Sequence, residues 1–273
     1  MIFSVLGGDT RLAFLSDALR RDGHEVRAYT GGPPERMTEG ADCVILPLPA
    51  EKPAGLLNAP GITPAVSIAH VCRAFTKGQK VFAGMPGREI IKAAESAGAE
   101  IFDYSASESF AEKNAALTAE GALAVIIQKT PFELYSRKVL VTGFGRVSKA
   151  LVWRLSCLGA DVTIAARSAG QRAASEARGH KSADISALWR IVGDFDIIVN
   201  TVPAGIFGER ELQSLKPDCF FLDLASAPGG IKAGVDFKKA LTSPGIPGRF
   251  SPKSAGEAIK SAIYNILYKG VTT

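Results

Sequence analysis

The stretch Lys138-Val-Leu-Val-Thr-Gly143-Phe144-Gly145-Arg146-Val147-Ser148-Lys-Ala-Leu constrains the fold more than any other part of the chain. An apolar run enters a glycine turn, and Ala150, Leu151, Trp153 and Leu155 follow at helical spacing. Strand, turn and helix in that order open a dinucleotide-binding fold. Gly143 permits the tight exit from the strand. Gly145 lets the backbone approach a pyrophosphate where a side chain would collide. The helix then aims its free N–H groups and the positive end of its dipole at the phosphates. The third glycine of the usual pattern is Ser148 here, a small residue that still permits close helix–sheet packing.

The next strand, Val162-Thr-Ile-Ala-Ala166, ends on Arg167-Ser168. A carboxylate there would accept hydrogen bonds from the ribose of NAD and would repel a 2′-phosphate. A guanidinium pairs with that phosphate, and Ser168 adds a hydroxyl, with Arg172 or Lys181 as further cations. The expected cofactor is therefore NADP.

With 273 residues, 47% hydrophobic and 22% charged, the chain is globular, and no apolar run has membrane length. Its start, Met1 to Gly8, is a strand-sized apolar run without a basic leader, so a cytoplasmic protein is expected. Cys43, Cys72, Cys157 and Cys219 are scattered and read as buried reduced thiols. His24, His70 and His180 are isolated, so no metal is expected. The net charge of +5 comes from dispersed basic residues, which argues against nucleic acid and favours small anions.

Strands alternate with helices from the first residues. Ile2–Leu6 reads as a strand, Gly7–Arg11 as a turn into a helix, and strands recur at 24–29, 42–46, 80–83 and 98–103, with a helix over 88–97. Residues 51–79 are Pro- and Gly-rich and poorly periodic. Thr118 reads as the N-cap of a helix through Gln128, with Glu120 in its first turn. Later strands fall at 196–200 and 219–223, and 254–268 forms a last helix. The fold class is α/β, with two doubly wound parallel-sheet lobes. Residues 1–117 form a flavodoxin- or Rossmann-like substrate lobe and 118–136 an interdomain helix and linker. Residues 137–252 form the NADP-binding Rossmann domain, and 253–273 a helix returning to the first lobe.

Ligands of such sheets bind beyond the carboxyl ends of the strands. There the sequence places Asn200-Thr201-Val202-Pro203, Leu222-Asp-Leu-Ala225-Ser226 through Gly230, and the loop 243–256 with Lys253 and Ser254. Together with 143–148 these segments are expected to line one cleft between the lobes. In the first lobe, Gly8-Asp9-Thr10-Arg11 sets a carboxylate, a hydroxyl and a guanidinium beside a helix N-terminus, which suits a carboxylate substrate.

Several motifs together resemble the family of dipicolinate synthase A chains. They are Gly7-Gly8-Asp9-x-Arg11, Thr118-Ala-Glu120-Gly121, Gly143-Phe-Gly-Arg146, Ala166-Arg167-Ser168, Asn200-Thr-Val-Pro203, Leu222 to Gly230, and Pro244 to Gly256. They follow that family's order and span nearly the whole chain. The resemblance implies oxidation of a dihydrodipicolinate-type ring to pyridine-2,6-dicarboxylate, with NADP as hydride acceptor. It also implies a place in the mother cell of a sporulating bacterium and, for a partner, the flavoprotein-like B chain of dipicolinate synthase. The chain departs from the family at Ser148, at Ala227, after Gly230 and at Arg249-Phe250.

On this reading Gly143, Phe144, Gly145, Arg146, Val147, Ser148, Ala166, Arg167, Ser168, Thr201, Val202, Pro203 and Ala225 hold the cofactor. Arg11, Lys253 and Ser254 bind the dicarboxylate, and Asn200 and Ser226 hydrogen-bond the carboxamide or the substrate. Asp9, Glu120 and Lys253 are equal candidates for taking a proton. A homo-oligomer is compatible with the sequence. The alternatives are another two-lobed NADP oxidoreductase of the formate/glycerate-dehydrogenase type, a nucleotide-sensing module, or a protein that only activates the B chain.

Overall fold

The computed structural model describes residues 1–243 and 245–268. Pro244, which opens the Pro-Gly-Ile-Pro-Gly loop, and residues 269–273 of the expected C-terminal segment lie outside them. The chain divides into two compact units, Met1–Asn114 with the chain from Pro247 on, and Ala115–Ile246. All structural statements below concern the described residues.

The first unit contains β1 (Ile2–Val5), α1 (Thr10–Arg21), β2 (Glu25–Ala28), α2 (Pro34–Thr38), β3 (Cys43–Ile45), β4 (Glu51–Lys52), β5 (Leu56–Leu57), α3 (Ile68–Arg73), β6 (Lys80–Ala83), α4 (Arg88–Ala97) and β7 (Glu100–Asp103). Five strands pair in parallel in the order β2-β1-β3-β6-β7. Their side chains alternate between two cores, as strand geometry requires. Phe3, Val5, Cys43, Ile45 and Phe82 face the layer built with Leu12, Leu15 and Leu19 of α1. Val44, Leu46, Val81 and Ala83 face the opposite layer, with Val71 of α3 and Ile90 of α4. Segment 51–79, irregular by sequence, holds the antiparallel β4–β5 pair and α3. Ser67 caps α3 by accepting from the His70 N–H.

The sequence places a helix start at Thr118, but α5 runs over Glu108–Lys129. Ser107 starts it, its hydroxyl accepting from the Phe110 N–H at 3.3 Å. No Gly or Pro between Ser107 and Thr118 interrupts it, so the helical run passes through Thr118 unbroken.

The second unit contains β8 (Lys138–Thr142), α6 (Arg146–Cys157), β9 (Asp161–Ala166), α7 (Ala169–Glu176), β10 (Lys181–Asp184), α8 (Leu188–Ile191), β11 (Ile197–Asn200), α9 (Glu209–Gln213), β12 (Phe220–Asp223) and β13 (Ala240–Thr242). Its strands are parallel in the order β10-β9-β8-β11-β12-β13. That is the dinucleotide-fold order, with its switch point between β8 and β11. Leu140, Ile198 and Phe221 join Leu188, Val192 and Phe207 in one core. β10 and β13 carry too few apolar residues to stand out in sequence.

The last described helices are α10 (Ile246–Phe250) and α11 (Pro252–Leu267). Ala258, Ile259, Ala262 and Ile263 of α11 pack with α1 in the first unit. Gly256 makes this close approach possible: a Cβ there would stand 2.6 Å from the Arg11 carbonyl oxygen. No described helix is long and apolar enough to cross a membrane. No described group of three or more His, Cys, Asp or Glu is placed to hold a metal ion. Cys43, Cys72 and Cys219 are buried and free, but Cys157, expected inside, is exposed near the end of α6. Burial pushes the Cys72 thiol up to about 11.

Candidate functional site

In the second unit the site is built at the strand ends. Gly143 leaves β8 at φ +91°, where side chains are disfavoured, and a Cβ there would lie 2.7 Å from Thr201 Oγ1. Gly145 is different. It is the N-cap of α6 at φ −83°, and a Cβ there would meet no protein atom within 4 Å. No side chain caps α6, whose first turn begins at Arg146 beside that open space. Turn and space therefore fit a pyrophosphate. Ser148 is fully buried, and its hydroxyl donates to the Gly143 carbonyl at 2.8 Å.

Arg167 and Ser168 follow β9 and are exposed. Ser168 caps α7 by accepting from the Gln171 N–H at 3.1 Å. Arg172 braces this corner: it donates to the carbonyls of Ala166 and Arg167 and pairs with Asp184 at 2.9 Å. Lys181, a further cation by sequence, begins β10 and pairs with Asp161 at the start of β9. Parallel pairing puts it at the opposite end of the strands from Arg167.

Asn200, expected to reach a ligand, is fully buried and spent within the protein. Its Oδ1 accepts from Thr142 Oγ1 at 2.6 Å and from the Val202 N–H. Its Nδ2 donates to Asp223 Oδ1 at 2.7 Å and to the Val202 carbonyl. Asp223 also accepts from the Ala225 and Gly230 N–H groups. Gly230 packs so tightly on Asn200 that a Cβ there would occupy the amide's place. Thr142, Asn200 and Asp223 thus lock the ends of three adjacent strands and shape the loops carrying Thr201–Pro203 and Ala225–Ser226. Sequence reasoning alone misses Thr142 and Asp223. The signal that marks them is a polar residue closing each apolar run.

In the first unit Asp9 caps α1 and forms a forked ion pair with Arg11, at 2.8 Å from Oδ1 to Nε and 2.9 Å from Oδ2 to Nη2. Arg11 Nη2 also donates to the Leu48 carbonyl, and the Arg11 side chain is only 9% exposed. Burial would raise the Asp9 carboxyl, but the Arg11 hydrogen bonds and charge outweigh it and hold the group below its ordinary value. Such a carboxylate is suited to holding Arg11 in place. Gly248 lies against the pair: a Cβ there would be 2.7 Å from Asp9 Oδ2, and Thr10 Oγ1 donates to the Gly248 carbonyl. The fold therefore brings the Gly8–Arg11 turn and the segment around Gly248 together. Lys253 and Ser254 are exposed in the first turn of α11, which no side chain caps. A cavity of about 320 Å³ opens beside the Gly8–Arg11 turn, lined by Gly7, Gly8, Asp9, Tyr29 and Thr30. Glu120 and Ser226 are in the second unit; Ser226 is exposed, and Glu120 pairs with Arg154 at 2.8 Å.

Two family models match the two parts of the chain separately. Residues 2–105 match the family model of the N-terminal domain of the dipicolinate synthase A chain. Residues 127–246 match the NAD-binding domain of D-isomer specific 2-hydroxyacid dehydrogenases. The dipicolinate synthase A chain of Bacillus subtilis is 31% identical over 194 residues, covering 68% of this chain and 64% of the relative. Over most of its length the chain is similar to dipicolinate synthase A chains. The aligned part thus spans just under two thirds of that curated relative's length. The crystal structure of the dipicolinate synthase A chain from Bacillus subtilis superposes with a TM-score of 0.82 at 26% identity, covering 98% of this chain and 96% of that one. The corresponding crystal structure from Bacillus halodurans shares the fold, with a TM-score of 0.84 at 24% identity and 97% of each chain covered. The second unit is a nicotinamide-dinucleotide-binding domain of Rossmann type. These matches support an oxidoreductase-type role.

Proposed function

We propose that this protein is the A chain of a dipicolinate synthase, oxidising a dihydrodipicolinate-type ring to pyridine-2,6-dicarboxylate with NADP. The pairing of the family's N-terminal domain with an NAD-binding domain carries the reading. The open, uncapped turn at Gly145 supports it. When bound, the nucleotide supplies the two-electron acceptor. Gly145 and the first N–H groups of α6 would hold its pyrophosphate. Arg167 and Ser168 would hold the 2′-phosphate, with Arg172 fixing their corner, and Thr201, Val202, Pro203 and Ala225 would line the remainder.

The substrate is a dianion. Lys253, Ser254 and the uncapped first turn of α11 supply its positive surroundings, and Arg11 is pre-set by Asp9. Aromatisation removes a hydride and a proton from the ring. We assign no side chain to the proton, which leaves to water, because Asp9 is held by Arg11, Glu120 by Arg154, and Lys253 serves as the cation for the substrate's charge. Positioning then does most of the work, and good orientation lowers such barriers by about 7–11 kcal/mol. The flavoprotein-like B chain is the expected partner, and the mother cell of a sporulating bacterium the expected setting.

The test mixes purified protein, substrate and NADP, with and without the B chain, and follows NADPH absorbance and dipicolinate. Both should rise together. Nucleotide binding without turnover under either condition would favour a sensing module. Product formed by the B chain without NADP reduction would favour an activating role.

A further inference from the structure

The second unit carries another cavity, of about 510 Å³, between α6 and the turn that joins α7 to β10. It is lined from α6, from Ile164 of β9 and from the turn after α7, whereas the nucleotide turn follows the end of β8. Phe144, Val152, Trp153 and Ile164 give it apolar walls. Trp153 is 64% exposed and stands at the edge of the opening.

Its polar groups are cationic. Lys149 Nζ stands 4.9 Å from the Phe144 ring centre, and Arg178 Cζ stands 5.9 Å from it. Arg178 also donates to the Ala174 carbonyl, but neither cation pairs with a carboxylate among the described residues. His180 adds an ionisable ring to the same lining. An apolar slot of this volume with a few convergent polar groups is the usual form of a small-molecule site. Aromatic walls select a flat apolar body, and two cations without carboxylate partners select an anionic head.

We infer that this cavity is a second ligand site, taking a planar aromatic anion. It is separate from the sites for nucleotide and substrate, apart from Phe144, whose backbone belongs to the glycine turn.

The chain has two tryptophans, so Trp189→Phe leaves Trp153 as the sole indole reporter. That variant is titrated with 2-naphthoate and with the neutral 2-naphthylmethanol, following indole fluorescence and, independently, heat of binding. The expected result is a saturable change with naphthoate and binding of the alcohol weaker by about tenfold or more. Lys149→Glu with Arg178→Glu should weaken naphthoate by about tenfold or more. Ser156→Phe, which fills the cavity, should abolish it. Melting temperature and circular dichroism of each variant certify the fold. Equal affinity for acid and alcohol, unchanged affinity in the two variants, or no saturable binding would each overturn the inference.

Discussion

The Ser148 hydroxyl donates a 2.8 Å hydrogen bond to the carbonyl of Gly143, so the residue standing in place of the third glycine ties the turn to the helix that follows it. Its small side chain is fully buried, and the bond offsets the desolvation of the hydroxyl. Ser148→Gly restores the usual motif yet loses this bond and adds a glycine to a helix. It should lower stability by about 1–2 kcal/mol, read from chemical denaturation. A variant as stable as the parent would show the bond to be idle.

The two glycines of the turn should behave oppositely. Gly145→Ala has room and an ordinary φ, so stability should change by less than about 0.5 kcal/mol. The new methyl enters the space assigned to pyrophosphate, and nucleotide affinity should fall about tenfold or more. Gly143→Ala, at φ +91° and crowded by Thr201, should instead lower stability by about 1–3 kcal/mol. Calorimetry with and without nucleotide checks both.

Much of this is legible in the chain. The turn at 143–148 stands out because each step of strand, glycine and helix has its own residue signature. α4 is equally plain, with Gly87 before it and Gly98, at φ +71°, after it. Tertiary partnerships are not legible. Asn200 looks like a ligand-facing amide until Thr142 and Asp223 are seen to use its hydrogen bonds. Arg11 looks like a free substrate cation until Asp9 and the Leu48 carbonyl are seen holding it. Thr118 looks like a cap because cap residues also occur inside helices, and the true start at Ser107 carries an equally ordinary hydroxyl.

Arg167 is exposed beyond the end of β9, with Arg172 bracing the corner from behind. Arg167→Asp replaces attraction for a 2′-phosphate with repulsion while leaving that brace intact. The ratio of NADP to NAD affinity should drop about a hundredfold, measured by titration with each nucleotide. An unchanged ratio would mean that other residues read the phosphate.

The Asp9–Arg11 pair makes stability depend on acidity. The Asp9 carboxyl titrates below its ordinary value of 3.8 in the folded chain. Its contribution is therefore complete above that value and is lost as pH falls through the lower folded value. Asp9→Asn should remove that part of the acid dependence. It should also cost about 2–4 kcal/mol at neutral pH, because Arg11 is left buried without its partner. Denaturation curves taken from neutral to acid pH for both proteins separate the two effects.

The most direct test of the central claim is the stoichiometry of the reaction. With this protein, dihydrodipicolinate-type substrate, NADP and the B chain together, NADPH and dipicolinate should appear in equal amounts, and both should fall with Gly145→Ala at subsaturating NADP. Dipicolinate formed without matching NADPH, or at an undiminished rate in that variant, would contradict the account.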